Sequence, residues 1–194
     1  PSSIRDWNEK LAALAYPTLT PATVVSRDKQ IIREFVETNA RTVLKPIDGH
    51  GGKGIIFVEP GDAGLMDIIQ LITVSGSHWV IAQEYLGAAT EGDKRILLLN
   101  GQPLGAVLRL HAEGEELNNL DQGGTALASE ITDRDREICS TLKDDLCNAG
   151  VVFAGIDIIG GMLMEINITS PTGLQEMSRF DDCAYHEEIV DSLN

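Results

Sequence analysis

Positive charge is scarce in this 194-residue chain, where 15 Lys and Arg face 30 Asp and Glu for a net charge of −15. A nucleic-acid backbone requires a cationic footprint, and so does an anionic bilayer surface, so neither is expected as a partner. Long apolar runs are also missing. The richest stretch, Val151 to Met164, is broken by Asp157 and by glycines, well short of an uninterrupted bilayer span. Cysteine is limited to Cys139, Cys147 and Cys183, an odd number without metal spacing, which reads as reduced thiols in a cytoplasmic protein. Pro1 to Tyr16 carries charges where a secretory leader would be apolar. What is present is 43% hydrophobic residues, enough for a real core, so disorder, collagen and disulfide-stapled miniproteins are excluded.

The pattern along the chain alternates helices with short strands. A helix is expected around Arg5–Ala15, stopped by Pro17, and then an extended connector over Thr18–Ser26. Arg27 to Thr38 sets Ile31, Ile32, Phe35 and Val36 on one helical stripe. Strands are expected at Thr42–Pro46, Ile55–Glu59, Trp79–Leu86, Lys94–Leu99 and Leu104–Leu110, the last two joined by Asn100-Gly101, a strong hairpin signal. Asp62 is placed to cap a helix through Ile72. His111 to Ala128 lacks periodicity and reads as a long loop. Thr132 with Asp135 three residues on forms a capping-box variant, and Gly150 ends that helix. Val151–Ile159 and Leu163–Ile168 close a hairpin around Gly160-Gly161, and Leu174 to Asn194 reads as helical. Trp79 and Phe153 are expected in the core. The class is α+β with mainly antiparallel strands.

Gly49, Gly51 and Gly54 match G-x-G-x-x-G. Lys53 is followed by Gly54 rather than Ser or Thr, so this is not a Walker A loop. The glycines precede the β-run Ile55-Ile56-Phe57-Val58 instead of a helix, which excludes a Rossmann fingerprint. Strand–loop–strand is the context of a hairpin whose backbone N–H groups cover phosphates, or of an ordinary mobile hairpin. Lys45, inside the apolar run Val43-Leu44-Lys45-Pro46, either pairs with an anion or snorkels from an edge strand. A protein kinase would carry this lysine after the glycine loop, not before it.

The closing hairpin carries Asp157, Glu165 and Asn167 on otherwise apolar strands. Glu165 and Asn167 share a face. A two-residue turn at Gly160-Gly161 puts Asp157 on the opposite face; a three-residue loop through Met162 puts all three oxygens together. Two crowded carboxylates and an amide then call for a cation, and an all-oxygen set suits Mg²⁺ carried by phosphates. No Ser/His/Asp or Cys/His constellation is visible.

Five runs give the chain a family likeness: Arg5–Leu11, Leu44–Gly52, Gly92-Asp93-Lys94-Arg95, Gly155–Gly160 and Glu165–Thr172. With these it resembles the ATP-grasp superfamily, specifically the nucleotide-binding domain of bacterial glutathione synthetases. The likeness implies an ATP-grasp fold of two α+β subdomains sandwiching ATP: a lid-bearing subdomain over 26–86 and a metal-bearing subdomain over 87–194. Residues 1–25 would form a connector and short helix from a preceding domain. It implies an ATP-dependent ligase that activates a carboxylate as an acyl phosphate for attack by an amine, joining γ-glutamylcysteine to glycine in the cytoplasm. The cofactors are ATP and Mg²⁺, with Mn²⁺ as a substitute, and the full-length protein would be a homo-oligomer.

The likeness also assigns roles. Lys29 and Lys45 contact ATP and its phosphates, and the loop with Gly49, Gly51, Gly52 and Gly54 closes over them. Gln83, Glu84, Tyr85 and Leu86 form the adenine hinge, and Asp93 lies near the ribose. Arg95 and Arg109 hold phosphate or acyl-phosphate oxygens, the alternative for Arg95 being a surface ion pair with Asp93 or Glu91. Asp157, Glu165 and Asn167 bind Mg²⁺, while Ser170, Pro171 and Thr172 lie near the acceptor amine. Leu117 and Thr125 stand where the family carries arginines, in a loop made acidic by Glu113, Glu115, Glu116 and Asp121. Another ATP-grasp ligase with a different acid and amine, or a non-catalytic ATP-binding module, is the alternative.

Overall fold

The structure, a computed structural model, describes residues 6–49, 53–110 and 124–193. The chain divides into two compact units: Thr20–Gly87, and the residues up to Leu19 together with those from Ala88 onward. No helix of the described residues is long and apolar enough to cross a membrane.

The smaller unit is a four-stranded antiparallel sheet backed by two helices. Its strands are β1 (Thr23–Ser26), β2 (Thr42–Pro46), β3 (Ile56–Val58) and β4 (Val80–Glu84), in the order β1-β4-β2-β3. Helix α2 (Lys29–Thr38) is capped by Asp28, whose Oδ1 accepts from the Gln30 N–H, and it buries Ile32 and Val36. Helix α3 (Leu65–Ile72) buries Leu65 and Ile69. These pack with Leu44, Val58, Val80 and Ala82, the alternate residues that the strands turn to one face. Complete burial of each large aliphatic side chain contributes about 1.5–3 kcal/mol, so this one-sided core fixes the register. Two local expectations fail here. Asp62 does not cap α3; its Oδ2 accepts from the Glu59 N–H at 2.8 Å, closing a turn, and Gly64 is the N-cap. Trp79 is 47% exposed rather than core, with the Arg27 guanidinium 5.5 Å from its ring centroid.

The larger unit holds a five-stranded antiparallel sheet. Strands β5 (Asp93–Leu99), β6 (Gln102–Leu110), β7 (Thr125–Ala128), β8 (Phe153–Ile159) and β9 (Met162–Asn167) run in the order β7-β6-β5-β8-β9. One face carries Ile96, Leu98, Ala106, Ala154, Ile156, Ile158, Leu163 and Ile166 and packs on α4 (Asp133–Asn148) through Ile138, Cys139, Leu142 and Leu146. The expected capping box is formed in full: Thr132 Oγ1 accepts from the Asp135 N–H, and the Asp135 carboxylate accepts from the Thr132 N–H. The same Asp135 carboxylate accepts from Lys94 Nζ at 2.7 Å. Helix α1 (Glu9–Ala12), begun by Asn8, leads into a 3₁₀ turn and packs on the same core through Ala13. On the opposite face Leu97, Val107 and Met177 gather under α5 (Leu174–Asp181), next to α6 (Tyr185–Asp191). The tail is therefore two helices, broken where Asp182 takes a left-handed φ of 48°. The expected long loop is also shorter at its end, because Thr125–Ala128 pairs with β6.

Candidate functional site

The decisive local feature is in the closing hairpin. Its turn has two residues, with Gly160 and Gly161 both at positive φ and Ile159 opposite Met162. Uninterrupted, that register would send Asp157 and Glu165 to opposite faces. The register slips between Asp157 and Ile158, leaving Met164 as an extra residue, so Asp157 stands opposite Glu165 and Gly155 opposite Asn167. A β-bulge thus achieves what a longer turn would have done. All three oxygen-bearing side chains therefore lie on the sheet face opposite the core built on Ile156, Leu163 and Ile166.

Arg95 is opposite Asp157 on the neighbouring strand, and Arg109 is opposite Asp93. Arg95 donates from Nε and Nη2 to the two Asp157 oxygens, the second bond measuring 2.8 Å. Arg109 donates to both oxygens of Asp93, at 2.5 and 2.9 Å, and its Nη2 lies 3.0 Å from Asp157 Oδ2. The Asn167 amide reaches the same Oδ2 at 3.5 Å, and Arg95 Nη1 donates to the Thr172 carbonyl at 3.3 Å. Arg95 and Asp157 are each only 6% exposed, so Arg95 is not a surface partner of Asp93 or Glu91. On the adjacent strand Glu165 Oε1 lies 3.7 Å from Lys10 Nζ, which also bonds Glu9 at 2.7 Å.

Burial opposes charge on Asp157, but Arg95 and then Arg109 outweigh it, and the carboxyl is held below its usual range. Asp93 goes the other way. Burial raises it, and Arg109, shared with Asp157, compensates only in part, so its pKa is pushed up to about 6. Arg109 is burdened by burial but held charged by Asp157 and Asp93, its pKa raised. Two carboxylates dividing one guanidinium end in different protonation regimes.

The glycines here are steric necessities. A Cβ on Gly155 would lie 2.7 Å from Pro171 Cβ and 3.2 Å from Arg95 Cδ. Pro171 therefore rests on the sheet beside Arg95, with the Thr172 carbonyl accepting from it, while Ser170 holds a positive φ of 48°.

The smaller unit has its own polar face, opposite its helices. Lys45 is on β2, an interior strand, which excludes the edge-strand reading. Its Nζ donates to Gln83 Oε1 at 2.8 Å; Gln83 Nε2 donates to Thr23 Oγ1 at 2.9 Å, and that hydroxyl donates to the Pro21 carbonyl at 2.8 Å. Gln83 is 4% exposed, its side chain held between Lys45 and Thr23. Of the residues expected to form an adenine hinge, Glu84 is exposed, Leu86 half-buried, and the Tyr85 N–H donates to the Arg41 carbonyl at 2.9 Å. Arg41 lies over the rings of Phe57 and Tyr85, at 4.7 and 4.4 Å.

The β2–loop–β3 hairpin forms as expected, pairing Thr42 with Val58 and Leu44 with Ile56. Gly49 and Gly54 lie against Pro46: a Cβ would come within 2.9 and 3.1 Å of its Cγ, and Gly54 has a φ of +76°. Gly51, Gly52 and Leu117 lie outside the described residues. Lys29 is exposed at the start of α2.

The larger unit thus assembles Asp93, Arg95, Arg109, Asp157, Glu165, Asn167, Pro171 and Thr172 on one face, and the smaller unit assembles Lys45 and Gln83. Lys10, Thr23 and Arg41 have no role that the sequence announces. Lys10 stands in the Arg5–Leu11 run that carries the family likeness, its one available signal; nothing local marks the other two. Among the described residues no three His, Cys, Asp or Glu side chains converge, so any metal here depends on the amide oxygen beside the two carboxylates. That hard, all-oxygen set fits Mg²⁺.

Comparison with known proteins agrees with this architecture. Residues 9–182 match the family model described as the ATP-grasp domain of prokaryotic glutathione synthetase. The glutathione synthetase of Thermosynechococcus vestitus is 47% identical over 190 residues, covering 98% of this chain and 60% of that protein. The Pseudomonas putida glutathione synthetase is 43% identical over 194 residues, covering 100% of this chain and again 60% of that protein. The chain therefore spans about three-fifths of the length of these curated relatives. In structure it is similar to D-cycloserine synthetase DcsG, with a TM-score of 0.73 at 18% identity over 98% of this chain and 72% of that one. It is also similar to the ATP complex of D-alanine–D-alanine ligase from Bacillus anthracis, with a TM-score of 0.61 at 16% identity over 95% and 63%. At such identities the structural likeness establishes the fold, which is the α+β ATP-grasp fold. The family match takes in both β-sheets and the whole acid–guanidinium cluster, and the chain belongs to the ATP-grasp domain family of prokaryotic glutathione synthetases.

Proposed function

We propose that this chain is the nucleotide-binding and catalytic portion of a cytoplasmic, Mg²⁺-dependent carboxylate–amine ligase that joins γ-glutamylcysteine to glycine and converts ATP to ADP and phosphate. The observation that carries this reading is the buried face where Asp157 meets Arg95 and Arg109 opposite Glu165, in a chain of this family. The substrate carboxylate takes the γ-phosphoryl group of ATP, giving ADP and an acyl phosphate. The glycine amine then attacks the acyl carbon, phosphate leaves, and the amine loses a proton. Every reactant in the first step is anionic, so charge neutralisation and positioning carry the catalysis.

Asp157, Glu165 and Asn167 would hold Mg²⁺, with Mn²⁺ as a substitute, and the ion supplies charge neutralisation at the phosphates when bound. Lys45, fixed by Gln83, would bind phosphate oxygens, with Lys29 as a second cation for ATP. The hairpin with Gly49, Gly51, Gly52 and Gly54 would cover them, the backbone of Glu84, Tyr85 and Leu86 would bind adenine, and Asp93 would lie by the ribose. Arg95 and Arg109 would hold the acyl phosphate, with Ser170, Pro171 and Thr172 near the amine.

The test is ADP release and glutathione formation from γ-glutamylcysteine, glycine, ATP and Mg²⁺, using both this chain and the full-length protein. Turnover should disappear in Glu165→Gln combined with Asn167→Ala while the fold survives. Turnover only with another acid–amine pair would replace the substrates; nucleotide binding without ADP formation in the full-length protein would replace the enzyme with a binding module.

A further inference from the structure

Every carboxylate offered to a metal in the larger unit already holds a protein cation. Asp157 accepts from Arg95 at both oxygens, and Oδ2 also faces Arg109 at 3.0 Å. Glu165 faces Lys10 at 3.7 Å. Arg109 is shared, gripping Asp93 with both ends of its fork. Asp93, Asp157, Arg95 and Arg109 form a buried quartet that is neutral when all four are charged.

We propose that this site is self-neutralised, so that a divalent cation and a phosphate-type anion enter as a linked pair: the anion takes over Arg95 and Lys10, and the cation takes the carboxylates they release. The inference rests on Asp157 and Glu165 being the metal ligands. A cation arriving alone must displace the Arg95 guanidinium from a buried carboxylate and leave its charge facing only the neutral Thr172 carbonyl, a costly arrangement in a low dielectric. An anion arriving alone must pull Arg95 from Asp157 and leave that acid only the Arg109 guanidinium it shares with Asp93. Together they exchange partners without stranding any charge. The released group is Arg95, because Arg109 keeps Asp93, whereas the other acceptor of Arg95 is the neutral Thr172 carbonyl. Lys10 extends the exchange to Glu165, and its flexible stem and position beside Glu9 let it move between carboxylate and anion. The coupling is reciprocal: metal must tighten the anion by the factor by which the anion tightens metal.

The experiment measures Mn²⁺ binding to this chain by electron paramagnetic resonance, with and without inorganic phosphate, free Mn²⁺ being corrected for its phosphate complex. Wild type should bind Mn²⁺ weakly alone and about tenfold more tightly with saturating phosphate, within the roughly 5–150-fold range of site–site coupling. Arg95→Gln should bind Mn²⁺ about tenfold more tightly than wild type without phosphate and gain little from phosphate. Arg95→Lys, which keeps the charge, should stay close to wild type. Should Arg95→Gln fail to fold, Lys10→Met decides the matter, with the same direction and a smaller change. Mn²⁺ binding that is lost in Glu165→Gln but indifferent to phosphate, Arg95 and Lys10 overturns the linked exchange and leaves the metal-ligand reading standing. Mn²⁺ binding unaltered in Glu165→Gln combined with Asn167→Ala overturns both.

Discussion

Asp157→Asn probes the centre of the buried cluster with almost no change of shape. The carboxylate is 6% exposed and meets two guanidinium groups, so the substitution removes the countercharge of buried cations rather than a surface pair. Breaking a buried pair from one side costs about 3–5 kcal/mol. Arg109 retains Asp93 and Arg95 retains the Thr172 carbonyl, which places the expected loss near the lower end, about 3 kcal/mol. Against a typical total of about 5–15 kcal/mol this is large, and at about 2–4 °C per kcal/mol it lowers Tm by roughly 6–12 °C. The two tryptophans allow the unit to be named: Trp7 packs on the core of the larger unit, and Trp79 is in the smaller one. In a Trp79→Phe background, Trp7 fluorescence during urea and thermal unfolding reports the unit that carries the mutation. The sign with pH is fixed as well. The folded carboxyl is depressed below its unfolded value of 3.8, so its stabilisation is present above that pH and is lost as pH falls toward about 2. The gap between wild type and variant should therefore be full at pH 6 and close as the solution is acidified below pH 4. A Tm drop under about 2 °C, or a gap that does not close in acid, would refute the buried pairing.

Asp93 titrates in the opposite sense: with a folded pKa of about 6 against 3.8 unfolded, its contribution to stability falls as pH rises through that interval. Asp93→Asn should gain Tm relative to wild type between pH 4 and pH 7, and side-chain carboxyl NMR should give a midpoint near 6; a midpoint below 4 contradicts it. Gly155→Ala drives a methyl to 2.7 Å from Pro171 Cβ, so it should cost about 1–3 kcal/mol in urea unfolding. Stability equal to wild type would show that Pro171 is free to yield. Lys45→Ala removes the ammonium held by Gln83 and should weaken ATP binding at least about tenfold by calorimetry, the loss expected for a charged hydrogen bond. An unchanged Kd would remove Lys45 from the nucleotide site.

Much of the architecture was written in local pattern. Asn100-Gly101 defined a hairpin, Thr132 with Asp135 defined a helix start, and alternating apolar residues defined β2, β5, β6 and β8, because turn chemistry, capping and side-chain period are decided within a few residues. The residue types of the candidate site were legible for the same reason: oxygen donors and a lysine stand out on apolar strands. Sequence alone places short β1 and β7 in a connector and a loop, since strands of four residues gain their identity from the neighbours they pair with. Residue type alone puts Trp79 in the core, where large aromatics usually lie, but its ring is exposed beneath Arg27.

By itself, the sequence determined the class of fold, the strand–loop–strand setting of the glycines and the inventory of charged groups. Tertiary structure alone decided which charges meet. Arg95 finds Asp157 across 62 residues and Lys45 finds Gln83 across 38, distances at which no periodicity reports contact. Whether Glu165 and Asn167 share the face of Asp157 depends on one unpaired residue at Met164, and in a strand of period two a single insertion moves the side chains beyond it from one side of the sheet to the other.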